Sequence, residues 1–454
     1  MPRKAGQDLT QGPVARSLLR LTAPMMLAVS SSIIVQMLEI GFIGQLGTAQ
    51  IAAVTFTFPI SMMLTSVAMG IGIGTSSVIA RRVGGGDWDS VRRLATHSLM
   101  LVGILLTVLT ALGMATIDPT FRMLGADGEV LRQIHAYLLV YFPGTVLFTV
   151  TMVVGSTMRA TGDARIPGLV MTGGAALNLA LDPILIFGWF GAPRLELTGA
   201  AVAMVVSRLA MSGLLFYYAV YRDNLFLPIR QWRDNALASW REILAIGLPA
   251  MATQMIGPMS GAIITRLLAS HGHDVVAGFG VAGRIEGVAV MLLFALSGSI
   301  GPFVGQNWGA GDLDRVHGGI RVAYRFCLAW GAAAWLVLVL IGDWVVPLID
   351  DNPAVIEVAR HYLAIVPISY GLWGVLMMAS ASFNSLGRPI PSTIMAFTRM
   401  FVVYVPLAML ADHLFGYTGI FVATATANCL MGLWGYAWLR RSLSASTGGS
   451  LVPA

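Results

Sequence analysis

Twelve stretches of this chain are each long and apolar enough to cross a lipid bilayer, and that succession limits the fold more than any motif does. A spanning helix needs about 20 mostly apolar residues. Runs that meet the rule fall at 19–43, 50–75, 94–116, 131–154, 166–190, 198–220, 244–268, 274–302, 320–342, 358–383, 391–411 and 416–438. Within hydrocarbon each segment must satisfy its own backbone polar groups, so the runs predict helices and an all-α polytopic membrane protein. Composition agrees, with 56% of residues hydrophobic and 11% charged, where a soluble domain carries about 25% charged residues. The formal net charge of +6 is no nucleic-acid signal, because the basic residues cluster between apolar runs instead of lining one face. Cys327 and Cys429 fall inside predicted helices, where a free thiol acts as a small apolar group and implies no disulfide framework. The first run is longer than a signal-peptide core and is expected to remain as the first membrane helix.

Cytoplasmic loops accumulate Lys and Arg, which orients the chain. With the N-terminus in the cytoplasm, twenty basic residues face inward, from Arg3 and Lys4 through Arg81, Arg82, Arg230 and Arg233 to Arg440 and Arg441. Only Arg122, Arg132, Arg194 and Arg360 face outward. The even helix count returns the C-terminus to the cytoplasm. The expected location is therefore the cytoplasmic membrane of a bacterium or archaeon, crossed many times.

The chain also repeats itself. Gly86-Asp87-Trp88-Asp89 matches Gly311-Asp312-Leu313-Asp314 at an offset of 225, and Gly47 with Gly272, Tyr137 with Tyr362 and Gly162 with Gly387 share that offset. Six predicted helices precede the second copy, so both copies enter the membrane in the same direction, as in transporters built from parallel repeats. The expected organisation is a six-helix lobe at 1–220, a polar cytoplasmic linker at 221–243 and a second six-helix lobe at 244–454, the lobes related by a pseudo-two-fold along the membrane normal.

Chemistry concentrates in the fifth run, where Asn178 and Asp182 stand four residues apart and so share one helical face. An ionisable residue at membrane depth reads as an ion, proton or substrate site facing the protein interior. Pro183 removes the donor that would pair with the Leu179 carbonyl, which frees that oxygen beside the carboxylate. The structural alternative is a kinked helix whose Asp caps a neighbour. Counting about 1.5 Å per residue places Glu39 on the first helix and Tyr137 on the fourth at a depth similar to Asn178 and Asp182. Two carboxylates close together in a low-dielectric site cannot both stay charged without a cation, so the set suits a shared proton or a bound Na⁺ at Glu39, Asn178 and Asp182. Glu39 maps onto Ile264 and Asp182 lies near the counterpart of Pro406, so buried acids are expected in the first lobe alone.

With these positions placed, the sequence resembles the multidrug and toxic compound extrusion (MATE) family along essentially its whole length. The resemblance rests on Phe42-Ile43-Gly44-Gln45-Leu46-Gly47, Gly84-Gly85-Gly86-Asp87, Met158-Arg159-Ala160-Thr161-Gly162-Asp163, Asn178 to Pro183, Arg284-Ile285-Glu286, and Pro302 to Gly311. It implies two six-helix lobes around a central cavity and export of lipophilic, often cationic, compounds against inward Na⁺ or H⁺. Similarity to the DNA-damage-inducible (DinF-type) branch implies a first-lobe cation site at Glu39, Asn178, Asp182 and Tyr137, with Pro24 as the bend of the first helix; from its effect on the helix, Pro183 is expected as a second hinge. Where that branch has Asp, this chain has Glu39. The acids that another branch carries on helices 7 and 10 are missing from 245–267 and 363–383.

Other signals are weaker. Gly70-Ile71-Gly72-Ile73-Gly74 lies within a helix with no preceding strand, so it reads as small-residue packing and not as a nucleotide loop. No phosphate-binding loop, His cluster or nucleophile set suggests ATP, a metal or an enzyme. Arg208, Arg284 and Arg399 lie in or near apolar runs, where Arg snorkels or pairs with backbone carbonyls. Glu286, with Met255, Met259 and Met291, is a candidate for a substrate cavity that accommodates varied apolar ligands. The expected function is a secondary active multidrug exporter, monomeric, with no cofactor and H⁺ or Na⁺ as coupling ion. The alternative is a flippase for a lipid-linked precursor.

Overall fold

In the computed structural model of the protein, residues 8–228, 231–232 and 234–447 are described. Arg3, Lys4, Arg230 and Arg233, counted in the charge bias, lie outside them. Among the described residues, twelve helices are long and apolar enough to span a membrane: α1 Val14–Gly44, α2 Thr48–Gly84, α3 Trp88–Ala115, α4 Gly128–Ala160, α5 Arg165–Phe187, α6 Glu196–Arg222, α7 Ala236–Ala269, α8 His273–Gly309, α9 Leu313–Leu348, α10 Pro353–Ser385, α11 Pro389–Phe415 and α12 Tyr417–Ala445. No strand occurs among the described residues. The protein is all-α and polytopic.

Most helices run past the apolar limits because polar first turns extend them. The repeated Gly-Asp motif supplies one such start: Gly86 and Gly311 adopt φ of 78° and 75°, a left-handed turn open to glycine. The next residue then caps the helix, Asp87 accepting from the Ser90 amide and Asp312 from the Arg315 amide, each at 3.0 Å. The Ser90 hydrogen bond holds the Asp87 carboxyl below the usual carboxylate range. The motif is thus a helix-starting device used twice.

The chain packs as two compact units, one holding Ala23–Met251 and the other Leu9–Thr22 with the chain from Ala252 onward. The division falls inside α1 and α7, not in the 221–243 segment. That segment is tied into the first unit: the Leu227 amide donates to Thr96 Oγ1 at 2.9 Å and Trp240 Nε1 to the His97 carbonyl at 2.9 Å. The opening of α7 packs on α2 so closely that a methyl on Gly74 would lie 2.6 Å from the Ile243 carbonyl oxygen. In the second unit the N-terminal segment is held by side chains at the α8–α9 junction. Arg315 donates to the carbonyls of Gly12 (2.7 Å), Leu9 (3.0 Å) and Gln11 (3.2 Å), and Asn307 Nδ2 donates to Leu9 at 3.2 Å. The family-like run at Pro302 to Gly311 is therefore partly a clamp. Replacing Arg315 by Ala is expected to cost about 2 to 4 kcal/mol, given three charge-assisted bonds. A lower unfolding midpoint and faster labelling of a cysteine placed at Gln11 would show it, and an unchanged midpoint would refute it.

Candidate functional site

The continuous helix α5 carries Asn178 and Asp182 on its buried face, and Pro183 lies within it without interrupting it. Asn178 Nδ2 donates to Asp182 Oδ2 at 2.9 Å, as the four-residue spacing requires. Asp182 has no exposed surface, and its Oδ1 is buried with no hydrogen-bond partner. A buried carboxylate with one unsatisfied oxygen is expensive, and that oxygen is chemically able to take a proton or a cation.

Tyr137 on α4 is 7% exposed and stacks on Tyr141, the ring centroids 5.5 Å apart. Glu39 on α1 is half-buried, makes no hydrogen bond among the described residues, and is a charge neighbour of both Asp182 and Tyr137. Three helices of the first unit, α1, α4 and α5, thus bring Glu39, Tyr137, Asn178 and Asp182 together. Their donor set is all oxygen apart from the Asn178 amide nitrogen, which suits a proton or a hard monovalent cation.

Sequence reasoning missed the place of Arg208. On α6 its guanidinium lies 4.6 Å from the Phe148 ring centroid and 5.7 Å from that of Tyr141, and Nη1 donates to the Gly144 carbonyl at 3.4 Å. It is also a charge neighbour of Glu39 and Tyr137. The signal was available: Arg208 and Ser212 stand four apart, as Asn178 and Asp182 do, and Ser212 bonds Thr151 of α4 at 2.7 Å. This polar face points at α4.

The buried acids among the described residues, Asp163 and Asp182, lie in the first unit, while the second unit carries a half-buried one in a spanning helix, Glu286. On α8 of the second unit its carboxylate accepts from the Tyr362 hydroxyl at 2.5 Å, with Arg399 as a charge neighbour. Arg399 in turn donates to Asn428 (3.0 Å), which donates to Ser369 (3.1 Å). Tyr362 is the repeat partner of Tyr137. Comparing repeats asks whether acids recur at the same positions, and Glu286 escapes because it enters from a different helix. Met255 and Met259 are exposed and Met291 is half-buried. At the bend position of α1, Pro24 lies inside an unbroken helix, against Gly168 of α5.

The profile of the family described as MatE matches residues 24–184 and again 249–410. The two matches begin 225 residues apart, the offset of the internal repeat. Among relatives, the FAD transporter of Shewanella oneidensis is 33% identical over 95% of both chains, and the multidrug export protein MepA of Staphylococcus haemolyticus is 26% identical over 90% of both. Among solved structures, an outward-facing multidrug resistance MATE family transporter of the MOP superfamily is similar with a TM-score of 0.94 at 26% identity, covering 99% of this chain and all of its own. The Vibrio cholerae MATE transporter VcmN in its bent form gives a TM-score of 0.90 at 29% identity, covering 95% of this chain and 97% of its own. With twelve spanning helices, a doubled family match and relatives of the same length, the chain belongs to the MATE family and is a multi-pass membrane transporter, not an enzyme.

Proposed function

We propose that this protein is a secondary active multidrug exporter that moves lipophilic, often cationic, compounds out of the cell against inward H⁺ or Na⁺. Both termini lie in the cytoplasm of a bacterial or archaeal cell, and the protein works as a monomer without a cofactor. The observation that carries the reading is the fully buried Asp182, with one carboxylate oxygen unpartnered and Glu39 as its charged neighbour. Glu39, Asn178, Asp182 and Tyr137 take and release the coupling ion, and α1 bends near Pro24 in response, with Pro183 as the second hinge. The ion drives the cycle only if it binds the two states unequally, since equal affinity shifts nothing. Glu286 and the methionines Met255, Met259 and Met291 are assigned to the substrate path.

A second reading of the cargo, a flavin dinucleotide, is favoured by the 33% identity to the FAD transporter of Shewanella oneidensis. A flippase for a lipid-linked precursor is the weaker alternative, because phosphates would favour a cationic path and this one contains acids. Proteoliposomes loaded with ethidium, a fluorescent lipophilic cation, or with FAD and exposed to an imposed Na⁺ or proton gradient separate these outcomes. Gradient-dependent movement of ethidium is expected. Leakage independent of either gradient would remove the antiport reading, and movement of FAD alone would assign the second cargo.

A further inference from the structure

Arg208 is a charged group that the coupling scheme above leaves without a task. Its helix α6 meets α4 so closely that a methyl on Gly144 would lie 2.6 Å from a Val205 side-chain carbon. Into that tight contact the guanidinium is wedged, over Phe148 at 4.6 Å, beside Tyr141 at 5.7 Å, and bonded to the Gly144 carbonyl at 3.4 Å. Two aromatic rings and a carbonyl hold it in place, so the charge is fixed and does not trail on a free chain. Around it stand Glu39 from α1 and Tyr137 and Tyr141 from α4. Asp182 on α5 has Glu39 as its charged neighbour and Asn178 as its hydrogen-bond partner.

We infer that Arg208 is a resident counter-cation that sets the ion specificity of this site: it compensates Glu39, opposes a bound metal cation, and leaves the coupling ion one uncompensated carboxylate, Asp182. The inference rests on the assignment of Glu39 and Asp182 as the coupling pair. A metal cation seated between the two carboxylates would draw oxygen ligands from both. Its charge would then add to that of Arg208, the charge neighbour of Glu39, which cannot move away, in surroundings where charges are poorly screened. A proton needs only one oxygen and makes no such approach.

The test compares the purified native protein with Arg208→Met, which keeps an apolar stem, and Arg208→Lys, which keeps the charge. Unfolding midpoints are followed through a titration with NaCl against choline chloride. The native protein and Arg208→Lys are expected to respond alike to both salts. Arg208→Met should gain a Na⁺-specific rise, with apparent Na⁺ affinity tightened on the order of a hundredfold by removal of the like charge. A residue that merely staples α6 to α4 would shift the midpoint equally in both salts, and that result overturns the inference. So does a native protein that already responds to Na⁺ as strongly as Arg208→Met. Should Arg208→Met fail to fold, Arg208→Gln, which keeps a donor for the Gly144 carbonyl, carries the same comparison. Failure of the native protein to move ethidium under any gradient would remove the coupling assignment on separate grounds, because the salt titration reads binding without transport.

Discussion

Ion-driven export is expected to fall by about a hundredfold or more when Asp182 is replaced by Asn, because a coupling ion acts only through its differential affinity for two states. The substitution preserves shape. Asp182 is fully buried, and its Oδ2 accepts from Asn178 at 2.9 Å, a bond that an amide oxygen in the same place can also accept. The helix should therefore survive while the titratable and cation-binding oxygen is lost. Glu39→Gln is expected to cost less, about tenfold, since Glu39 is half-buried and already has Arg208 as a neighbour. Ethidium efflux under an imposed gradient reads both effects, and the unfolding midpoint separates lost coupling from lost structure. Native rates in Asp182→Asn would take the carboxylate out of the mechanism.

The parts of this protein that hydrophobicity dictates could be read from the sequence. Twelve runs became twelve helices because a bilayer span is a length requirement, and Asn178 and Asp182 faced the same way because helical periodicity leaves no choice. Contacts between helices were less visible. Arg208 looks like any membrane arginine until Phe148, Tyr141 and Gly144 are brought against it from another helix. The Tyr362 hydroxyl that bonds Glu286 comes from 76 residues away, so no local pattern pairs the two. The grouping of Leu9–Thr22 with the second unit also escaped, since it is set by Arg315, Asn307 and Gln306 reaching backbone carbonyls and an amide, an interaction with no periodic signature. Side chains that bond backbone far away in sequence are the class that local pattern reading cannot see.

Gly168→Val should disable transport with the fold largely kept, and the reason lies in how loosely α1 is held. Only 11% of its most apolar stretch is buried, against 22% to 61% for the other eleven spans. Its close approach to α5 comes at Pro24, where a methyl on Gly168 would lie 2.7 Å from both the Pro24 carbonyl oxygen and its Cβ. Backbone atoms cannot yield as a flexible side chain can, so a larger residue must push α1 away from α5. Glu39 lies fifteen residues further along α1, about 22 Å at the helical rise, and Asp182 lies on α5; displacing one helix from the other separates the two carboxylates. Overpacking of this kind costs about 1 to 3 kcal/mol, which a twelve-helix protein should tolerate but which shifts a two-state balance about tenfold or more. Gly173→Ala on the same helix, where nothing lies within 4 Å of the added methyl, serves as the control and should transport normally. If Gly168→Val exports ethidium at the native rate, close contact between α1 and α5 at Pro24 is not what keeps Glu39 and Asp182 working as a pair.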